Sequence, residues 1–245
     1  RRLMTSTYGN SLTGYNGGNV GNAQFPVLYA RGEGTDNYAV FADHVYQQFW
    51  SFANDPFFMQ TTYTPIRWYV MTGQNLQDLR SDYMELTGTP PVPPRQMFGL
   101  WVSEYGYEDW DELNGVLESL RDADFPLDGF VLDLQWFGGI GSQSQMGALA
   151  WDEDNFPDPE GFIANLREQY GIGIMTIEEP FVSQTARGYE EARENGVLVR
   201  EGCEACEPVI MNEWWGRGGM VDWSNPEASV WWHDNRRQHL INSGV

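Results

Sequence analysis

A chain of 245 residues is long enough for one large domain or two ordinary ones. Its formal charge of −21 sets 35 acidic residues against 14 basic ones, all of them Arg; without clustered cations, nucleic acid and anionic membrane are poor partners. No apolar run reaches the roughly 18 residues needed to span a bilayer.

The missing Lys matches proteins adapted to salt, and a biased genome explains it as well. Most of the 11 Trp, 12 Tyr and 13 Phe belong in a core, and the excess suits sites that stack flat, hydroxyl-rich ligands. Residues 1–7 lack the apolar core of a signal peptide. With no initiator Met, and an end directly after a helix-like stretch, the chain reads as an internal piece of a longer protein.

Residues 1–74 read as β-structure, with strands at 25–31, 38–41 and 66–71 and loops marked by Gly/Asn clusters such as 15–22. Asn75 caps a helix with Leu76, Leu79, Tyr83 and Leu86 at helical spacing, and Gly88 ends it. The stiff segment Thr89-Pro-Pro-Val-Pro-Pro94 then marks a boundary: residues 1–88 form one part, 89–97 a linker and 98–245 a second part.

Beyond the linker, strands and helices alternate. Residues 98–102 are strand-like, and Asp109 caps a helix with Glu112 completing a box-like start. The stretch Asp128-Gly-Phe-Val-Leu-Asp-Leu-Gln-Trp136 is a buried strand whose apolar run is interrupted by Asp133. A carboxylate at the end of such a strand is costly to bury and needs a partner or a ligand; a turn cap or an Arg partner would also account for it. Asp158-Pro159 opens a helix that Gly171 closes. Residues 172–177 form a third buried strand leading into Glu178-Glu179-Pro180. A short helix at 189–194 ends at Gly196, an irregular Trp-rich stretch follows, and Asn225-Pro226 starts a last helix to about residue 242. Strand–helix units in series imply a doubly wound sheet or a barrel.

Several chemistries fail. Phe137-Gly-Gly-Ile-Gly-Ser142 follows a strand, but Ser144 stands where the third glycine of a dinucleotide fingerprint belongs and no helix begins there. Cys203-Glu-Ala-Cys206 lies in an acidic turn-like segment, better suited to a surface hairpin than to redox chemistry. His44, His233 and His239 show no ligand spacing that would complete a metal site. The cysteines leave the compartment open.

The ordered motifs Trp68-Tyr-Val-Met-Thr-Gly73, Leu86-Thr-Gly-Thr-Pro-Pro91, Pro94-Arg-Gln-Met-Phe-Gly99, the Asp133 strand, Phe156-Pro-Asp158 and Val221-Asp-Trp-Ser-Asn-Pro226 resemble glycoside hydrolase family 31. The resemblance covers nearly the whole chain. It implies an α/β fold in which part of an N-terminal β-sandwich precedes the first three units of a (β/α)8 barrel. It implies a retaining enzyme without metal or organic cofactor, acting on α-linked gluco-oligosaccharides through two carboxyls about 5 Å apart. The family's nucleophile follows the fourth barrel strand, so both catalytic carboxylates are expected beyond Val245. Within the chain, Glu178 and Glu179 point to opposite faces of a strand, which leaves Glu104 and Asp133 as the other conceivable pair. The same resemblance places Asp133, Leu134, Trp136, Glu179, and Trp214 or Trp215 around the non-reducing sugar. Gln135 and Glu179 depart from the usual pattern and resemble the branch of bacterial oligosaccharide 4-α-glucosyltransferases; a non-catalytic glycan-binding protein on the same fold is a further alternative. With three barrel strands present, the third is expected to expose an edge, and Val131, Ile174 and Ile177 to lack neighbours.

Overall fold

The computed structural model describes residues 25–32, 37–44, 46, 48–51, 56–61, 65–203 and 206–245; the Gly/Asn cluster at 15–22 lies outside the described residues. The chain divides into two units, Arg1–Val92 and Pro93–Val245.

In the first unit, β1 (Val27–Ala30), β2 (Asn37–Asp43) and β5 (Arg67–Gly73) form an antiparallel sheet in the order β1-β2-β5. Successive strand residues point to opposite faces. Ala39 therefore joins Met71 and Leu79 of α1 (Leu76–Thr87), while Val40 and Ala42 meet Trp50 on the other side. Trp50 comes from the hairpin β3 (Gln48–Ser51)–β4 (Phe58–Thr61), which the sequence reading did not anticipate. Its strands of four residues are too short to show an alternation. The α1 ends follow the expected caps: the Asn75 side chain accepts the Asp78 N–H, and Gly88 donates to the Met84 carbonyl. Leu76 and Leu86 do not complete an apolar stripe, since each is 45% exposed.

The second unit is built on a parallel sheet, β6 (Trp101–Ser103), β7 (Gly129–Leu132) and β8 (Gly173–Thr176), in that order. Residues 98–102 are not one strand: Arg95–Phe98 make a single 3-10 turn, and pairing starts at Trp101. Nor does the second strand run to Trp136. It ends at Leu132, and Leu134–Phe137 turn into a 3-10 helix. That turn resets the alternation and carries Leu134, Trp136 and Phe137 together into the core. The helices α2 (Trp110–Asp122) and α3 (Pro159–Tyr170) begin at Asp109 and Asp158 as expected. In α2 the reciprocal bond goes from Glu108 N–H to Glu112, one residue before the cap itself.

The sheet has two unlike faces. Phe130, Leu132 and Ile174 are buried in the main core with Leu113 and Leu117 of α2 and Ile163 and Leu166 of α3. Ile174 is thus supplied with neighbours, contrary to expectation, and Ile177 packs partly buried against the same core. The sparsely covered face is that of Trp101, Val131 and Met175, all half-buried. There the Trp101 ring lies across Gly129 and Gly173, where a Cβ would come within 2.3 and 2.9 Å of it. Among the described residues β8 pairs with β7 alone, leaving one edge free.

After β8 the Trp-rich stretch is regular. The strands β9 (Phe181–Ser183), β10 (Met211–Glu213) and β11 (Gly216–Met220) form an antiparallel sheet ordered β10-β11-β9, with α4 (Tyr189–Glu194) between β9 and β10. Cys203 and Cys206 form a disulfide, and Arg200 bridges Pro208 across the turn, the surface hairpin expected there. The last helix is interrupted: α5 (Pro226–Val230) and α6 (Gln238–Asn242) are joined by π-type turns over Trp231–Arg237, which seat both Trp231 and Trp232 in the core.

Candidate functional site

Asp133 stands at the carboxyl end of β7, in step with Gly129 and Val131 on the open face of the sheet. One carboxylate oxygen accepts the Leu134 N–H at 2.8 Å, capping the 3-10 turn. Among the described residues no Arg pairs with it and its second oxygen has no partner. The cap named as an alternative is therefore present, and it uses only one of the two oxygens.

The ground beneath Asp133 is rigid. Leu134 is 3% exposed and Trp136 wholly buried; the Trp136 ring stands edge-on to Phe137 and Trp151. Its indole N–H donates to the Ile177 carbonyl at 3.2 Å, while Ile177 N–H donates to Leu132, so the ladder between β7 and β8 is continued past the strand ends. Trp136 can thus shape the site and offers no surface to a ligand.

Glu178 and Glu179 have separate fates. Glu178 accepts a forked set of bonds from Arg237, at 2.6 to 3.1 Å, and one from Trp232 Nε1 at 3.2 Å. Bidentate guanidinium–carboxylate pairs are strong and geometrically fixed, so this carboxylate is committed to holding the last helix. The clamp is not announced by any motif around Glu178. Its signal was the Arg236-Arg237 doublet in a helix of a chain short of cations. Glu179, half-buried, has no such partner among the described residues.

Trp214 and Trp215 form the two-residue turn between β10 and β11. Their rings stand edge-on at 5.3 Å, and Trp215 is edge-on to Phe181, two residues after Glu179. Trp215 is half-buried against the core, whereas Trp214 is 68% exposed. A buried serine relay fixes the turn: Ser183 Oγ and Ser144 Oγ lie 2.9 Å apart, and Ser144 Oγ donates to the Trp215 carbonyl at 2.6 Å. Ser183 N–H also donates to Met146, and Thr185 Oγ1 to the Ser144 carbonyl. The loop after β7 and the segment after β8 are thereby stitched into one surface; in the sequence Ser144 served only to break a glycine fingerprint, and Ser183 carried no signal.

Glu104 follows β6 and has no hydrogen-bonded or ionic partner among the described residues. Its neighbour Tyr107 is 1% exposed, with a positive φ of 58° and a hydroxyl that finds no partner there. Burial, and then the Glu104 and Glu112 carboxylates, push the Tyr107 pKa up to about 12. No group of three or more His, Cys, Asp or Glu side chains among the described residues is placed to hold a metal ion, and no helix there is long and apolar enough to cross a membrane.

Comparison with known proteins adds a context to this geometry. The family model for the glycosyl hydrolases family 31 TIM-barrel domain matches residues 90–245. The α-xylosidase XylQ of Lactiplantibacillus pentosus is 29% identical over 183 residues, 74% of this chain and 23% of its own length. The α-glucosidase 2 of Bacillus thermoamyloliquefaciens is 27% identical over 214 residues, 85% of this chain and 26% of its own. The chain thus spans about a quarter of the length of these curated relatives. A Flavobacterium johnsoniae family 31 dextranase complexed with glucose superimposes with a TM-score of 0.79 at 21% identity, over 99% of this chain and 29% of that one. A cycloalternan-degrading enzyme from Trueperella pyogenes does so with 0.77 at 18%, over 99% and 38%. At these identities the two structures speak for the fold alone.

Proposed function

Because the chain belongs to glycoside hydrolase family 31, we propose that it carries the sugar-holding part of a retaining enzyme that processes non-reducing terminal α-glucosyl residues. The observation that carries this reading is the unspent oxygen of Asp133 at the carboxyl end of a parallel strand, the end at which barrel enzymes bind ligands. An ionised carboxylate accepts bonds from sugar hydroxyls and is left short by a misplaced one, which separates glucose from its epimers. Leu134 and Trp136 hold that carboxylate in place from below, and Glu179 and Trp215 stand on the neighbouring segment. The ligands named for the structural neighbours, isomaltotriose and cycloalternan among them, are α-glucosyl oligosaccharides, and this is the substrate class assigned here.

The membership also supports reading β6, β7 and β8 with their helices as the first three units of a (β/α)8 barrel. Residues 1–88 would then be part of a β-sandwich and 89–97 its linker. On this reading the catalytic carboxyl pair is not drawn from Glu104, Asp133, Glu178 and Glu179. Glu178 is engaged by Arg237, and Asp133 is spent partly on its own turn. No metal or organic cofactor takes part. The sequence at Gln135 and Glu179 favours transfer to a sugar hydroxyl as a second outcome, which longer products from maltotriose would reveal.

Asp133→Asn in the protein that carries this chain tests the assignment. Asn caps a helical turn about as well as Asp, so the melting temperature should stay within about a degree. The kcat/KM on aryl α-glucosides should fall by a hundredfold or more, on the order of 3 kcal/mol for a lost charged hydrogen bond. Retained turnover with a lowered melting temperature would make Asp133 a structural acid.

A further inference from the structure

The disulfide between Cys203 and Cys206 differs from a buried staple, because its two ends meet different surroundings. Cys203 is exposed and Cys206 half-buried. Cys203 lines an open hollow of about 670 Å³ with Leu198, Arg200, Asp222, Ser224 and Asn225, and Cys206 does not. Arg200 Nη1 donates to the Cys206 carbonyl at 2.9 Å, and Nη2 to the Arg193 carbonyl, which fixes a guanidinium beside Cys206. One cysteine is thus reachable and the other has a cation next to it. The cross-link also has something to hold. It closes the tip of a hairpin in which Arg200 bridges Pro208 and Val209 N–H donates to the Val199 carbonyl at 2.8 Å. Val199 N–H donates in turn to Met220 at the end of β11, and two residues after Val209 the chain enters β10.

Exchange with an outside thiol needs access to the attacked sulfur and a good leaving thiolate. Access favours attack at Cys203, and a neighbouring cation stabilises a departing thiolate, which makes Cys206 the better leaving group. We propose that Cys203–Cys206 is a thiol–disulfide exchange site, opened by a small uncharged or cationic dithiol that attacks Cys203, and that its opening releases the hairpin leading into β10. An incoming thiolate bonds to Cys203 Sγ as the bond to Cys206 breaks, and Cys206 leaves as a thiolate that takes up a proton. The second thiolate of the reductant then displaces Cys203. The dithiol is oxidised to its disulfide, and the cystine is reduced by two electrons. The protein is the substrate of this exchange and not its catalyst, since the next element after Cys206 is a strand and not the helix that activates a redox cysteine. Charge selects the reductant. Asp222 and Glu227 line the hollow, and Glu201 is exposed two residues before Cys203, which repels an anionic thiol such as glutathione. The site is independent of the reading of Asp133.

Cysteamine, dithiothreitol and glutathione test this on the native protein that carries this chain. After a short pulse of cysteamine and alkylation with iodoacetamide, peptide mass mapping should find cysteamine on Cys203 and the carbamidomethyl group on Cys206. Compared at equal thiolate concentration, cysteamine should react roughly tenfold faster than glutathione at low salt, and the ratio should shrink in concentrated NaCl. Arg200→Gln should slow reduction by dithiothreitol about fivefold, and Arg200→Lys should keep most of the rate. Complete reduction should speed hydrogen exchange at the Val199 and Val209 amides by about tenfold or more, while the amides of β8 stay as they were. Label on Cys206 as often as on Cys203, or reduction no faster than global unfolding, would overturn the exchange site and leave a structural staple. Unchanged hydrogen exchange at Val199 and Val209 in the reduced protein would overturn the release of the hairpin.

Discussion

At the scale of single residues, the carboxylates of this chain differ by what they touch rather than by where they stand in the sequence. Glu178 and Glu179 are neighbours, yet one is locked to Arg237 and Trp232 and the other is not. No motif distinguishes them, because the partner lies 59 residues further on. Tyr107 presents the opposite case, a buried hydroxyl without a partner among the described residues. Leaving such a group unsatisfied is costly, so Tyr107→Phe should raise stability by about 1 kcal/mol. The raised pKa adds a signature in pH. The folded state holds the phenolic proton more tightly than the unfolded chain does, so the wild type keeps this proton-linked part of its stability below pH 10 and loses it as the pH rises from 10 through about 12. Urea unfolding of both forms across that window should show the wild type losing stability more steeply than the Phe variant; parallel curves would mean that the hydroxyl is solvated.

At the scale of elements, glycines test the packing of the parallel sheet. A Cβ on Gly129 would enter the Trp101 ring, at 2.3 Å, whereas one on Gly115, in the middle of α2, would meet nothing within 4 Å. Gly129→Ala should therefore cost about 1–3 kcal/mol, and Gly115→Ala should gain about 0.5–1 kcal/mol from helix propensity. Thermal unfolding of both variants reads the difference, and equal melting temperatures would show that Trp101 is free to move aside. The same elements mark how far the sequence could be read. Asn75, Asp109, Asp158-Pro159, Gly88 and Gly171 announced helix ends because caps are local hydrogen bonds between residues a few positions apart. Asp133 was legible for a similar reason, as one charge in an apolar run. The 3-10 turn at Leu134–Phe137 was not legible, because Leu, Trp and Phe in sequence look like more strand until the turn swings all three inward. The β10–β11 hairpin was hidden too: Gly216, Gly218 and Gly219 take the places where a strand would show side-chain alternation, and what makes them a strand is pairing with the distant β9.

At the scale of the whole molecule, charge is the dominant unbalanced quantity. Arg supplies every guanidinium pair described, with Arg193 shared among Glu190, Glu194 and Glu207 and Arg236 facing Glu191. With 35 carboxylates against 14 guanidinium groups, the acidic side chains outnumber their possible Arg partners by more than two to one. Salt shortens the reach of repulsion among them to about 8–10 Å near 0.1–0.15 M and about 3 Å at 1 M. The melting temperature should climb by several degrees between 0.05 and 1 M NaCl, and a fall would mean that the few ion pairs outweigh the repulsion. The antiparallel sheet after β8 has a bearing of another kind. It joins the parallel scaffold through Phe181 in the main core and through the bonds of Ser183 to Ser144 and Met146, and the turn that precedes β10 carries its own disulfide. Among the described residues β10 and β11 make no pairing with β6, β7 or β8. A change of length in β10–β11 therefore leaves untouched the register that carries Asp133 to the end of β7, so the two parts can vary independently on one scaffold.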